Sequence, residues 1–353
     1  MIMRFFNSAA ERKSGFRLTL IACFVAIVVL ALGVFTRLAD AGLGCPDWPG
    51  CYGHVLWPTA DHEVARANEA YPDMPVEHDK TWPEMVHRYF ASSLGLFTIA
   101  ILALSVRNRR QDPSQPIKLP AFLLGFIILQ GMFGMWTVTL KLWPQVVTSH
   151  LLGGFTTLSL LWLLCLRLNN QHWQLPAVKE PTLKMLKPLA AFGLFIVVVQ
   201  IALGGWTTSN YADIACPDFP QCQGDWLPPM DFANGFNVFQ HIGPNYLGGT
   251  LDNAARVAIH FSHRVGAIVT TLFLLFLIFK LRHLATSPAK RMATITLLVL
   301  AAQVALGVSN VVFHFPIAVA VSHNLVGAIL LLCMVTLNYL LRTAVVHRGG
   351  VRI

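Results

Sequence analysis

The sequence predicts an all-α membrane protein with eight transmembrane helices. Of its 353 residues, 55% are hydrophobic and only 12% are charged, and the mean hydropathy is +0.58. Soluble domains carry about twice that share of charged residues, so the composition excludes a soluble globular fold. Eight apolar stretches reach the roughly 20 residues that a helix needs to cross a bilayer. They lie at 17–36, 85–106, 119–140, 146–167, 186–206, 256–280, 291–312 and 317–341.

The first apolar stretch follows several basic residues, as the core of a signal peptide would. Its apolar run is too long for a signal peptide and no small-residue cleavage site follows it, so we expect a retained helix. The residues before it also lack the Arg- and Ser-rich amphipathic pattern of a transit segment. This favours a bacterial cytoplasmic (inner) membrane over an organelle.

The net charge of +9 is explained by membrane topology rather than by a nucleic-acid partner. Lys and Arg collect before the first span, in the second, fourth and sixth connections between spans, and after the last span. Basic loops face the cytoplasm, so both termini are expected to be cytoplasmic. The two long loops, at about 37–84 and 207–255, are then expected on the outer, periplasmic face.

The two halves of the chain repeat each other at an offset of about 171 to 176 residues. The repeat predicts two domains, 1–170 and 171–353, with four spans each. An even number of spans per repeat makes the halves parallel, related by an axis along the membrane normal. Each half is predicted to be a four-helix bundle, a fold that holds cofactors between facing helices. The matched pairs include Gly33 with Gly204, Cys45 with Cys216, Cys51 with Cys222, His87 with His263, Gln130 with Gln303, Gly134 with Gly307 and His150 with His323.

Four of these histidines point to haem iron. His87 and His150 lie near the outer ends of the second and fourth spans, and His263 and His323 do so in the sixth and eighth. Each half thus offers two imidazoles at one height, which suits six-coordinate haem because the protein supplies only the two axial ligands. A zinc site would need three or four converging ligands, and the sequence offers no such cluster. The alternative, hydrogen-bonded bundle histidines, does not explain why the pair is repeated.

Glycines close behind the histidines are candidates for a close approach of a flat porphyrin to the helix backbone, although small residues also serve ordinary helix packing in lipid. They are Gly153, Gly154, Gly266 and Gly327.

The two halves differ three residues before the first histidine of each pair, where Glu84 stands in the first half and His260 in the second. Positions three apart share a helix face, so Glu84 is predicted beside His87. A carboxylate beside a haem can accept or donate a proton, which makes Glu84 the candidate catalytic residue. The alternative is an interfacial residue that caps the second span, because Pro83 is typical of a helix start. For His260, a role beside the ligand or in hydrogen bonding is open, and so is the absence of any role.

Arg88 and Arg264 directly follow the histidines and are candidate partners for haem propionates, since guanidinium pairs well with carboxylates. The alternative is that both side chains snorkel to the membrane interface.

Each outer loop carries two cysteines at the same spacing, Cys45 with Cys51 and Cys216 with Cys222. Disulfides persist outside the cytoplasm, and the Pro and Asp between the cysteines favour a turn that brings them close. Each pair is open to two interpretations, a fixed staple or a reversible redox couple.

Several of these motifs together resemble the haem A synthase family, the membrane enzymes that mature the haem of cytochrome oxidase. The resemblance covers almost the whole chain. Its most specific part is the Cys-Pro-Asp-Trp-Pro loop joined to the Glu-x-x-His-Arg element. The residues that carry it are Thr36-Arg37-Leu38, Gly42-Leu43, Cys45-Pro46-Asp47-Trp48-Pro49, Glu84-x-x-His87-Arg88, Ser149-His150-Leu151 and Ser322-His323.

The resemblance implies oxidation of the C8 methyl group of haem O to the formyl group of haem A through two successive hydroxylations. It implies substrate haem between His87 and His150, with Glu84 as the catalytic carboxylate. It also implies a haem b cofactor between His263 and His323. A functional disulfide between Cys45 and Cys51, and a second between Cys216 and Cys222, are implied in the same way.

The partners follow from this chemistry. So apolar a substrate is not expected to travel free in water, so a haem O synthase is an expected partner, alongside membrane lipid. No nucleic acid is expected, and a homo-oligomer is left open. Two other functions also account for four histidines: a dihaem cytochrome b that relays electrons, and a haem carrier or assembly factor. The cytochrome b leaves Glu84 and the cysteine loops without a role, and the carrier would hand haem over unchanged.

Overall fold

A computed structural model describes residues 12–347, and the eight predicted spans are all present as long helices. The predictions that fall on residues 1–11 and 348–353, including the location of both chain ends, lie outside the described residues. The helices are Phe16–Leu38 (α1), Asp61–Ala70 (α2), His78–Arg109 (α3), Lys118–Thr139 (α4), Pro144–Asn169 (α5), Glu180–Ser209 (α6), Phe232–Gly235 (α7), Asn253–Arg282 (α8), Ser287–Val312 (α9) and Ile317–Thr343 (α10). The short α2 and α7 lie in the two long loops, and the other eight are long and apolar enough to span a bilayer.

Helix α3 begins earlier than the sequence predicts. It starts at His78 rather than near residue 85, so Pro83 lies inside the helix and the acidic residue of its first turn is Asp79. The interpretation of Pro83 as a helix start and of Glu84 as a cap is therefore wrong. Hydropathy marks the part of a helix that sits in lipid, and it does not register the polar turns that continue beyond the bilayer.

Packing joins the first four long helices to one another and the last four to one another. Helix α1 packs against α3 and α5, and α4 packs against α3 and α5; in the second half α6 packs against α8 and α10, and α9 packs against α8 and α10. The halves meet where α5 contacts α6 and where α10 contacts α1 and α5. One apolar core runs through both, with Leu161 and Leu186 fully buried at the junction.

Large apolar side chains cover the outside of the long helices. Phe24, Leu96 and Leu272 are each more than 60% exposed. In water such a surface would be unfavourable, whereas lipid tails are as apolar as these side chains. The surface is that of a multi-pass membrane protein.

A small sheet ties the chain together at one end of the bundle. Gln174–Pro176 (β1) pairs in parallel with Val345–His347 (β2), with Leu175 opposite Val346. Three-residue strands give no periodic signal, and the sequence did not predict them. The sheet fixes the end of α10 beside the connection from α5 to α6.

The two long loops lie together at the opposite end, which we call the loop end, and their cysteine segments have the same internal bonds. Cys45 is joined to Cys51 and Cys216 to Cys222, with Cα–Cα distances of 4.9 and 4.7 Å. These are the pairings that the resemblance implies. Both distances lie within the usual range for disulfides.

A carboxylate organises each cysteine segment. Asp47 accepts hydrogen bonds from the backbone N–H groups of Tyr52 (2.6 Å) and Gly53 (2.8 Å). Asp218 accepts the same two bonds, at 2.6 and 2.8 Å, from Gln223 and Gly224. The Gly224 and Gln223 amides hold the pKa of the Asp218 carboxyl below its usual value, because they favour the charged form.

Candidate active site

A cavity of about 470 Å³ lies between α1, α3, α4 and α5 and reaches toward the loop end. Its volume is in the range of small-molecule and cofactor sites. The lining is mainly apolar, with a small number of convergent polar groups. These include Arg37, Glu84, His87, Arg88, Gln130 and His150.

His87 from α3 and His150 from α5 meet across this cavity. Their ring centroids are 6.4 Å apart and the rings are nearly perpendicular, at 89°. An imidazole–metal bond is roughly 2 Å long, so one metal ion between two imidazoles separates their nitrogens by about 4 Å. The separation of these two rings suits a single ion bound by both.

The hydrogen bonds of the two rings leave nitrogens free for a metal. Nδ1 of His87 lies 3.1 Å from the carbonyl oxygen of Val29. When Nδ1 carries the proton and donates it, the Nε2 lone pair is available, which is the usual arrangement of a histidine that binds a metal. Nδ1 of His150 is buried and has no hydrogen-bond partner within residues 12–347.

Two glycines let the imidazoles pack directly against neighbouring helix backbones. A Cβ on Gly33 of α1 would lie 2.8 Å from Cε1 of His87, and one on Gly134 of α4 would lie 3.4 Å from Cε1 of His150. The glycines that the sequence suggested serve other contacts. Gly153 packs against the Gln130 amide and Gly154 against Leu30. The pair that cradles the histidines therefore comes from the two helices that carry no histidine.

Gly33→Ala is expected to weaken haem binding in the first half by roughly tenfold or more, since overpacking a filled site costs about 1–3 kcal/mol. The added methyl group would push the His87 ring away from Val29. The measurement is an absorbance titration with haem. Gly125→Ala on α4 is the control, because nothing lies within 4 Å of the added carbon there. Unchanged affinity in Gly33→Ala would contradict the assigned contact.

The second half has the same glycine contacts around His263 of α8 and His323 of α10. A Cβ on Gly204 would lie 3.0 Å from Cε1 of His263, and one on Gly307 would lie 3.1 Å from Cε1 of His323. The repeat thus places a glycine against each of the four predicted ligands. This packing of each imidazole against a glycine, which we call the glycine cradle, suits a flat macrocycle bound between two imidazoles.

Glutamine amides contact both histidines of the second half. Nε2 of Gln200 lies 3.0 Å from Nδ1 of His263, and Nε2 of Gln303 lies 3.3 Å from Nε2 of His323. Oε1 of each glutamine is buried without a hydrogen-bond partner within the described residues. Nε2 of Gln200 also donates to the His263 carbonyl oxygen at 3.0 Å, so this amide contacts both the ring and the backbone of His263.

Glu84 is buried, with 5% of its surface exposed, and connects α3 to the first cysteine segment. Its Oε2 accepts a hydrogen bond from the backbone N–H of Cys45 at 3.0 Å, and its Oε1 pairs with the Arg88 guanidinium. A buried carboxylate requires such partners, because an unpaired charge there is strongly unfavourable. Glu84 therefore lies in the same cavity as both imidazoles and beside the disulfide.

Arg88 and Arg264 hold the cysteine segments. Arg88 donates to the carbonyl groups of Asp47 (3.0 Å) and Gly50 (2.5 Å) as well as to Glu84. Arg264 donates to the carbonyl groups of Cys216, Asp218 and Gln221 at 2.7–2.9 Å. These bonds tether the loops, and the propionate role stays a prediction for both residues.

His260 takes the place of Glu84 in the second half and is a loop-holding residue. It is 4% exposed, and its Nδ1 lies 2.9 Å from the carbonyl oxygen of Ala212 in the second long loop. The structure thus shows a hydrogen-bonding role for His260, which the sequence had left open.

Three contributors to the site were missed by sequence reasoning: the cradling glycines, the glutamines that contact the second pair, and Arg37. The glycines and Gln303 belong to the internal repeat, which was the signal that could have singled them out. Arg37 belongs to the Thr-Arg-Leu motif at the end of α1 and lines the cavity. From the charge pattern alone, Arg37 was one of several basic residues in the connections between spans.

Comparisons with known proteins identify the family of this chain. Residues 16–335 match the COX15-CtaA family, described as "Cytochrome oxidase assembly protein". A protein named "Heme A synthase" from Shewanella oneidensis is 47% identical over 325 residues, which cover 92% of this chain and 95% of the relative. Proteins of the same name from Caulobacter vibrioides and Paracoccus denitrificans are 28% and 26% identical, covering 93% and 92% of this chain and 95% and 86% of the relatives.

The match spans all eight long helices and both histidine pairs. With it, the resemblance drawn from the motifs is confirmed, and the chain belongs to the COX15-CtaA family of cytochrome oxidase assembly proteins.

Proposed function

We propose that this protein is a haem A synthase, an oxidoreductase that converts the C8 methyl group of haem O to a formyl group. The first hydroxylation gives an alcohol. The second gives a gem-diol, which loses water to leave the formyl group of haem A. The name carried by the relative at 47% identity supports the activity.

The observation that carries the proposal is the position of Glu84 in a cavity shared with His87 and His150. The second half has a histidine at the equivalent position, and that histidine bonds a loop carbonyl. At this position, the first half therefore offers a carboxylate that can move protons beside a bound macrocycle, and the second half offers an imidazole. This supports a reaction in residues 1–170 and a cofactor role for residues 171–353.

In the first half the protein's own residues bind, orient and exchange protons. His87 and His150 hold the iron of haem O from opposite sides of the cavity. Glu84 accepts or donates a proton near the reacting methyl group, a role for which general acid–base catalysis typically contributes 10²–10⁴-fold. Arg88 and the Cys45 N–H keep the carboxylate in place before substrate arrives.

In the second half His263 and His323 hold haem b, in the cradle formed by Gly204 and Gly307. Bound there, haem b supplies one-electron redox chemistry. The Gln200 amide fixes the His263 ring through Nδ1 and through a 3.0 Å bond to the His263 carbonyl group. This half then repeats the histidine and glycine contacts of the first, with His260 in the place of the Glu84 carboxylate.

The protein acts in the bacterial inner membrane, which the eight apolar helices and the bacterial relatives support. We place the loop end and both haem sites toward the periplasm, following the distribution of basic residues. The opposite end of the bundle, where β1 and β2 pair, then faces the cytoplasm. Haem O arrives through the lipid phase, from a haem O synthase.

The experiment is haem extraction from membranes of a bacterium that lacks this gene and of the same strain with the gene restored. The deletion is expected to abolish haem A and accumulate haem O, and restoration is expected to reverse both. Unchanged haem A in the deletion strain would contradict the proposal. It would instead fit an electron-carrying cytochrome b or a haem carrier.

A further inference from the structure

We propose that Arg37 binds a propionate of the haem substrate and thereby sets which edge of the macrocycle faces Glu84. The proposal rests on the proposed function, because it takes haem O as the ligand of the first half. It assigns a binding and specificity role to a residue outside both histidine pairs.

Arg37 stands at the loop end of α1 and lines the same cavity as His87 and His150. Its side chain is 14% exposed. The guanidinium lies 3.9 Å from the centre of the Tyr211 ring, and its Nη2 donates to the Thr208 carbonyl oxygen at 2.5 Å. Stacking on the ring and one backbone bond fix the plane of the group without using all five of its N–H donors.

The charge balance of the cavity leaves Arg37 able to take a carboxylate. Among the described residues that line the cavity, the charged side chains are Arg37, Glu84 and Arg88. Glu84 and Arg88 neutralise each other as a buried pair. Arg37 forms an ion pair with Asp40 at 3.6 Å, and solvent screening weakens this pair because the Asp40 side chain is 58% exposed.

A second acid lies near Arg37. Asp213, on the second long loop, interacts electrostatically with Arg37, and burial raises the pKa of its carboxyl group above the ordinary value. Neither Asp40 nor Asp213 lines the cavity, where Glu84 is the one carboxylate among the described residues. On the cavity side, the natural partner of the Arg37 guanidinium is therefore a carboxylate presented by a ligand.

The internal repeat shows that this cation belongs to one site only. The residue equivalent to Arg37 at the 171-residue offset is Thr208, the residue whose carbonyl group Arg37 contacts. The second half thus has a neutral side chain at the corresponding position. Arg37 joins Glu84 as a feature that separates the first site from its repeat.

A site that oxidises one methyl group needs this third contact. Two axial imidazoles fix the iron but leave the macrocycle free to rotate about the axis between them. The C8 methyl shares a pyrrole ring with one propionate, so a propionate held by Arg37 restricts which methyl group can lie near Glu84. Orientation of this kind is a large part of catalysis by proximity.

The test is an absorbance titration of the purified full chain, in detergent, with haem O and with haem O dimethyl ester, which lacks both propionate charges. The wild type is expected to bind the free acid roughly tenfold to a hundredfold more tightly, the range of a charge-assisted hydrogen bond. Arg37→Gln is expected to abolish this preference while the affinity for the ester stays the same. Asp40→Asn, which also touches Arg37, is the matched control and is expected to keep the preference.

Equal affinities of the wild type for the two ligands would overturn the proposal. An Arg37→Gln variant that loses affinity for both ligands equally would also overturn it, because a purely structural contact of Arg37 with the second half would affect both ligands alike. If Arg37→Gln does not fold, Arg37→Lys decides. It keeps the charge but loses the planar fork, so the preference is expected to fall severalfold, and an unchanged preference would contradict it. The readout is binding, so a chain that makes no haem A would refute the proposed function without altering this result.

Discussion

Glu84→Ala is expected to reduce haem A formation by about 10²–10⁴-fold, the usual contribution of a general acid or base. Both haem sites should remain filled, because the imidazoles and their glycine cradles are untouched. The fold should survive, since Arg88 keeps its bonds to the carbonyl groups of Asp47 and Gly50. The measurement is haem extraction and quantification from purified protein and from membranes.

Two further variants separate proton transfer from a structural role of Glu84. Glu84→Gln keeps an oxygen that can accept from the Cys45 N–H but is a poor proton acceptor, so it is expected to be as inactive as Glu84→Ala. Asp79→Asn changes an exposed carboxylate one turn and a half earlier on α3 and is expected to leave haem A unchanged. Normal haem A production by Glu84→Ala would remove the carboxylate from the mechanism.

Loss of one axial histidine is expected to have the second large effect, and it should differ between the halves. His263→Ala or His323→Ala should deplete haem b from the purified protein, because one of only two protein ligands to the iron is lost. His150→Ala should leave haem b in place and weaken the binding of haem O. Pyridine-haemochrome spectra of each variant measure the haem type and its amount.

His314→Ala is the control for these variants, since His314 is exposed in the turn between α9 and α10. It is expected to keep the haem content of the wild type. Retention of haem b in both His263→Ala and His323→Ala would refute the assignment of the second half. Loss of haem b in His150→Ala alone would reverse the roles of the two halves.

The arrangement of the loop end explains why the acid and the disulfide belong together. The Cys45 N–H donates to Glu84, and Arg88 joins Glu84 to the carbonyl groups of the same segment. The second half keeps the arginine tether through Arg264 but replaces the acid by His260. The same scaffold thus occurs in both halves, with a carboxylate at this position in the first half and an imidazole in the second.

The sequence by itself determined the eight spans and the two pairs of histidines. A bilayer requires helices of a certain length and apolar character, so hydropathy located each span. The start of α3 was missed because His78 to Thr81 are polar and Pro83 is typical of a helix start, so the apolar run begins only after them. The pairing of His87 with His150 followed from their equal depth, and the distinction between the halves followed from Glu84 and His260.

Only the tertiary structure decided which groups surround those histidines. Gly33 meets His87 and Gly204 meets His263 across helix contacts that are 50 residues or more apart in the chain. Arg37 and Arg88 are both arginines near the loop end. Arg88 binds Glu84 and loop carbonyl groups, whereas Arg37 is stacked on Tyr211 beside the cavity. Periodicity and depth report where a side chain sits along the membrane normal, whereas its partners depend on how the helices are packed around one another.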